Sequence, residues 1–146
     1  MIEYIKGDLF DTPHHIIVHG CNAQGVMGSG VAKIVREKHP YAYDDYIRVS
    51  KFQGLRLGQC IYSVSNHKLI VNAITQNNYG RDGSRYVDYE AVAKVMQHVN
   101  GVARDSDYGT IAMPKIGAGL GGGDWNVIEA IIKSECVDVN VVVYEL

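Results

Sequence analysis

The chain has 146 residues, 47% of them hydrophobic and 21% charged, which is enough apolar material for one packed domain and too much for a disordered polymer. Its formal charge of -2 lacks the basic excess of a protein that grips nucleic acid by neutralising phosphates, so strong nucleic-acid binding is not expected. Cys21, Cys60 and Cys136 are odd in number, far apart and without a C-x-x-C pair, which excludes a disulfide framework and a zinc-ligand pattern and fits a reducing cytoplasm.

The first residues lack the charged-then-apolar layout of a signal peptide, and no apolar run reaches membrane-spanning length. Residues 2–6 alternate apolar and polar like a half-buried strand, and Gly7-Asp8 breaks it. Residues 15–19 are short, apolar and β-branched, which predicts a buried strand ending at His19. A glycine-rich segment, residues 20–30, then leads into an amphipathic helix over residues 31–39, with Val31, Ile34 and Val35 on one face and Pro40 as its stop. A second short helix is expected over residues 41–49 and a loop over 54–58. Residues 59–65 and 68–74 read as a hairpin joined by Asn66-His67, although the Asn-Gly signature is missing. Residues 76–85 are polar and glycine-punctuated, hence a surface loop. Asp88 is placed to cap a helix whose stripe is Ala91, Val92, Val95, Met96 and Val99.

Thr110 to Met113 form a strand that enters the densest glycine run in the chain. Gly117, Gly119, Gly121, Gly122 and Gly123 permit positive φ and leave backbone amides unscreened by side chains. Asp124 follows as N-cap of a helix over residues 125–132, so strand, glycine loop and helix together suggest a phosphate cradle. Residues 139–144 make a last, continuously apolar strand. The alternation of strands and helices predicts an α/β domain with a mostly parallel sheet of about six strands flanked by helices, residues 1–146 forming one unit. In such a sheet ligands lie beyond the carboxyl ends of the strands, where Asp8 and the loops after residues 19, 75 and 113 all fall. The Gly117-x-Gly119-x-x-Gly122 spacing comes too near the C-terminus for a dinucleotide fingerprint, which follows the first strand.

Gly7-Asp8-Leu9-Phe10, His19-Gly20-Cys21-Asn22 with Gly25-Val26-Met27-Gly28-Ser29-Gly30-Val31-Ala32, and Met113-Pro114-Lys115-Ile116-Gly117-Ala118-Gly119-Leu120-Gly121-Gly122 resemble, in this order, the motifs of the macrodomain, an ADP-ribose-binding module with a three-layer fold. The resemblance is nearest to small stand-alone, often viral or phage-encoded members described as ADP-ribose-1″-phosphate phosphatases. It implies that Asp8, with Leu9 beside it, receives adenine, and that Asn22 faces the distal ribose. Val26, Met27, Gly28, Ser29, Gly30 and Val31 would then cover that ribose and its phosphate. Ile116, Gly117, Ala118, Gly119, Leu120 and Gly121 would surround the diphosphate, and Tyr144 or Leu146 would enclose adenine.

In the glycohydrolase branches a catalytic lysine follows the strand that ends here at Thr75. This chain has Gln76-Asn77-Asn78 there, and Gly121 where the terminal-ADP-ribose branch carries an acid. An amide cannot replace an amine nucleophile. The expected activity is therefore hydrolysis of ADP-ribose-1″-phosphate, with an ADP-ribose reader as the alternative and hydrolysis of ADP-ribosylated protein or nucleic acid behind it. His19 is the side chain that titrates near neutrality and is read either as a proton-transfer group or as a satisfied histidine at a strand end. Asn22 serves positioning, and Asp124 is a cap with a secondary role as water activator. No metal and no cofactor are expected, and the expected state is a monomer in the cytoplasm, that of the host if the gene is phage-borne.

Overall fold

A computed structural model describes all residues from Met1 to Leu146. It contains six strands, β1 (Ile2–Lys6), β2 (Ile16–Asn22), β3 (Cys60–Ser65), β4 (Lys68–Gln76), β5 (Thr110–Met113) and β6 (Asn140–Glu145). Four helices accompany them, α1 (Gly30–Lys38), α2 (Pro40–Phe52), α3 (Tyr89–Arg104) and α4 (Trp125–Glu135), with one 3-10 turn at Leu9–Asp11. The strand order is β1-β6-β5-β2-β4-β3, parallel throughout except for β3, which pairs antiparallel with β4.

Period-two alternation sorts the strand side chains into two cores. Ile16 and Val18 of β2, Val71 and Ala73 of β4, Ile111 and Met113 of β5 and Val141 and Val143 of β6 pack with Val92, Val95, Met96 and Val99 of α3 and Ile128 and Ile132 of α4. The other parity, Ile17, Ile70 and Ala112, meets Val35 of α1 and Ala42 of α2. Farther along, Cys21 and Ile74 meet Tyr46 of α2. The sheet is thus the middle of three layers, because the inner strands β2, β4, β5 and β6 are apolar on both faces and need a helical cover on each.

Several boundaries differ from the sequence reading, each for a local reason. β2 continues three residues beyond His19, because Gly20, Cys21 and Asn22 pair with Ala73, Ile74 and Gln76 of β4. Pro40 starts α2 at its first turn, where a missing N–H costs nothing, and His39 is the junction between α1 and α2. The β3–β4 turn does without glycine: Asn66 and His67 both take left-handed φ, 51° and 62°. Asp88 and Asp124 cap α3 and α4 as expected, accepting from Ala91 N and Asn126 N, each at 2.9 Å. Trp125, the first residue of α4, donates from Nε1 to Tyr4 Oη of β1 at 2.9 Å and meets that ring edge-on.

Candidate ligand cleft

The carboxyl ends of β2, β4 and β5 open into a cleft of about 540 Å³, lined by the segment after β2, the segment after β4 and the glycine loop after β5. Asn22, Val26, Gly28, Ser29, Gly30 and Val31 lie on one side, and Ile116, Gly117, Gly119, Leu120 and Gly121 on the other. Both glycine loops expected from the sequence therefore share one cavity.

The loops are shaped by specific bonds. Asn22 Nδ2 donates to Val26 O at 2.8 Å, while its Oδ1 accepts from Gln24 N at 3.0 Å and from Tyr46 Oη at 3.0 Å. Tyr46 Oη also lies 2.6 Å from Asn22 O, so α2 holds the start of the first loop. Asn22 lines the cleft, but its amide is largely committed to the loop itself, which makes it a positioning residue. In the second loop Gly117 sits at φ 77°, and a Cβ there would come within 2.7 Å of Val87 Cγ2. Gly119 differs: a Cβ would meet nothing within 4 Å, and its φ is not left-handed. Gly28 is nearly as open, with only Val26 Cγ1 at 3.7 Å, and the positive φ expected throughout these loops is confined to Gly25, Gly30, Gly117 and Gly122 among their glycines. Gly20 forms part of the floor against Thr75, whose hydroxyl is buried without a partner.

Other assigned residues fall at the margins or elsewhere. Asp8 is exposed at the end of β1, with Oδ1 accepting from Phe10 N at 2.9 Å and capping the 3-10 turn. Gly7 N donates to Glu145 O at 2.7 Å, which ties Asp8 to the end of β6. Leu9 is core, and Tyr144, whose hydroxyl bonds Thr12 Oγ1 at 2.8 Å, packs against the same cluster together with Val31 of the cleft wall. Asp8, Leu9 and Tyr144 thus gather at one end of the rim. Leu146 is fully exposed and encloses nothing. Met27 is 1% exposed and packs with Tyr46 and Ile74, because its side chain turns inward while its neighbours Val26 and Gly28 are exposed and line the cleft. Ala118 packs toward the core from outside the cleft lining.

The two expected proton-transfer groups are not in the cleft. His19 is 0% exposed on the α2 side of the sheet, donating from Nε2 to Asn72 Oδ1 at 2.5 Å, and Asn72 in turn donates to Ala42 O. Burial pulls its imidazole down from 6.5 to about 4. Cys21 Sγ lies 3.7 Å from the ring, but burial pushes that thiol up, so the pair is an inert core contact rather than a nucleophile with its base. Asp124 is exposed, caps α4 and lies outside the cleft lining. Of the two readings of each residue, these positions match the satisfied histidine for His19 and the helix cap for Asp124, and correct the expectation that either faces the ligand.

Gln76 does stand at the cleft wall at the end of β4, its Nε2 donating to Asn78 O at 2.8 Å. The sequence pattern places the polar loop over residues 76–85 on the ligand rim without singling out a residue of it, and in the structure Tyr79, Gly80 and Arg81 line the cleft. That segment is stitched to the second glycine loop by Tyr86 N and Val87 N, which donate to Gly121 O at 2.7 and 3.0 Å. An aromatic and an arginine around a glycine, on the loop after a parallel strand, were the available signal.

The Macro domain family model matches residues 18–132. The chain belongs to the Macro domain family. It is 29% identical to an ADP-ribose 1″-phosphate phosphatase of Candida glabrata, covering 99% of this chain and 98% of that one. It is 32% identical to an uncharacterized 17.5 kDa protein of Enterobacteria phage T4, covering 99% and 96%. A solved structure of a Bacteroides thetaiotaomicron protein of unknown function superposes with a TM-score of 0.89 at 31% identity, over 100% of this chain and 98% of the other. This Macro domain has no helix long and apolar enough to cross a membrane.

Proposed function

We propose that this Macro domain binds ADP-ribose along the rim from Asp8 to Arg81 and removes the phosphate of ADP-ribose-1″-phosphate. The observation that carries the proposal is the single cleft walled by two glycine loops, with Gln76 at its wall where a lysine nucleophile would be needed to cleave ADP-ribose from a macromolecule. The name of the Candida glabrata relative supports the same substrate. Backbone amides of both loops and the amino end of α1 supply fixed dipoles for the phosphate groups. Asn22 keeps the first loop in shape for the distal ribose. The protein acts as a monomer in the cytoplasm, that of an infected host if phage-encoded as its T4 relative is.

A reader without catalysis is the second proposal. It is favoured by one observation: no carboxylate or imidazole lines the cleft, so no general acid or base is in place. Phosphate release from ADP-ribose-1″-phosphate, assayed beside ADP-ribosylated protein and DNA, decides between the two. Slow release from the first substrate alone, unchanged by chelator, is expected, since the cleft lining offers no metal-ligand set. Tight ADP-ribose binding with no release from any substrate would leave the reader.

Asp8→Asn tests the adenine end without removing the cap, because an amide oxygen still accepts from Phe10 N. The amide cannot offer a second acceptor to an adenine amino group, and ADP-ribose affinity is expected to fall by about 1–3 kcal/mol in calorimetry. Unchanged affinity would remove Asp8 from the site.

A further inference from the structure

Two cations line the cleft, Lys115 and Arg81, and no acid does. Lys115 is already paired, its Nζ 2.8 Å from Glu145 Oε1 at the adenine end. Arg81 has no carboxylate partner: its Nη2 donates to the neutral Ser29 Oγ at 2.7 Å, across the mouth of the cleft. The neighbouring Asp82 is turned away, accepting from Ser84 N at 3.0 Å and from Tyr86 Oη at 2.7 Å. Ser29 in turn makes no side-chain cap to α1, so its hydroxyl is engaged by the guanidinium alone.

The strand order gives this cation an address. With Asp8 and Tyr144 at the ends of β1 and β6, the second glycine loop after β5, the first after β2 and the Arg81 segment after β4, the rim runs β1-β6-β5-β2-β4. Strands lie about 4.8 Å apart, so β1 and β4 are roughly 19 Å apart along the rim. A ligand with adenine at the first end and its diphosphate on the second glycine loop presents its last group to the Arg81 segment.

We propose that Arg81 is the specificity-determining residue of the cleft, reading the charge of a phosphomonoester at the far end of the ligand and so separating phosphorylated from unphosphorylated ADP-ribose. This rests on the function proposed above. A phosphomonoester carries between one and two negative charges near neutrality, with a second pKa near 6, and the planar guanidinium fork matches two of its oxygens at once. The ligand phosphate replaces the Ser29 hydroxyl as the acceptor, and the segment bearing Arg81 stays anchored through Gly121.

The test is calorimetry on wild type, Arg81→Met and Arg81→Lys with two probes, ADP-ribose and the hydrolysis-inert 1″-methylenephosphonate analogue of ADP-ribose-1″-phosphate. Arg81→Met is expected to weaken the phosphonate about 10- to 100-fold, the range of a charge-assisted hydrogen bond, and ADP-ribose less than about threefold. Arg81→Lys is expected to recover part of the preference, and the wild-type preference is expected to grow as pH rises and the phosphonate takes its second charge. Equal losses for both probes would overturn the assignment, since Arg81 would then serve the shared diphosphate or merely hold the loop. An undiminished phosphonate preference in Arg81→Met would overturn it as well. Binding of neither probe by the folded wild type would instead bring down the ADP-ribose reading of the cleft, and the role of Arg81 with it.

Discussion

Gly119→Val is expected to abolish ADP-ribose binding while the domain melts within about a degree or two of wild type, whereas Gly117→Val, two residues earlier, is expected to damage the fold itself. The two glycines line the same cleft, and the difference lies in what surrounds them. At Gly119 a side chain meets no protein atom within 4 Å and the backbone is not left-handed, so the valine methyls enter open space, which is the ligand path. At Gly117 the same substitution combines a φ of 77° with a Cβ 2.7 Å from Val87 Cγ2 and 3.1 Å from Ile128 Cδ1. A β-branched residue there brings backbone strain and overpacking together, about 3 kcal/mol or more of lost stability. Gly28→Val belongs with Gly119→Val, its nearest obstacle being Val26 Cγ1 at 3.7 Å. Calorimetry beside thermal melts checks all three. Normal ADP-ribose affinity in a folded Gly119→Val would mean that the loop only reverses the chain.

The second large effect is acid destabilisation through His19. In the folded state its pKa is held near 4 by burial, against about 6.5 unfolded, so the unfolded chain binds the extra proton first as pH falls. Stability is therefore fully present above about pH 6.5 and is lost progressively down to about pH 4, by about 3 kcal/mol from this group. His39, also lowered by burial and by the nearby Lys38, adds in the same direction. Urea unfolding at pH 7 and pH 4.5, wild type against His19→Gln, isolates the contribution. The variant has no imidazole to protonate, so its stability gap between the two pH values should be smaller by about 2 kcal/mol, the part of the loss that falls between pH 7 and pH 4.5, whatever its absolute stability. An unchanged gap would mean that His19 is protonated within the fold. The same variant should retain phosphate release if folded, because the residue is not in the cleft.

Most of the fold was legible because the strands and helices keep their periods over many residues: Ala91 to Val99 bury one face of α3, and β2 and β4 are apolar on both parities. What misled was the glycine at position 20. Read as a break it makes His19 a strand-end residue, which leaves a proton-transfer role open beside that of a satisfied histidine. In the fold β2 runs on to Asn22, and the parity of a continuous strand then sends His19 with Ile17 and Cys21 to the α1–α2 side. Which parity faces the rim loops is decided by pairing with β4, and nothing local to residues 15–22 encodes that. The glycine loops were visible in composition, but the split between structural glycines such as Gly117 and open ones such as Gly119 depends on Val87 and Ile128, distant in the chain. Arg81 escaped notice because a polar loop has no period. Its meaning appears only when Ser29, fifty-two residues earlier, is found across the cleft.

Trp125 is the one tryptophan of the chain, and its surroundings make it an optical reporter of the cleft. Its indole is hydrogen-bonded to Tyr4 and has Lys115 Nζ 6.0 Å from the ring centroid, while the same ammonium group pairs with Glu145 and Lys115 is a residue of the cleft lining. A ligand phosphate that draws Lys115 from Glu145 also changes the electric field at the indole, and with it the emission wavelength. Binding can therefore be followed by intrinsic fluorescence with excitation at the red edge of the indole band, where the ten tyrosines contribute little, and without attaching a dye to any loop.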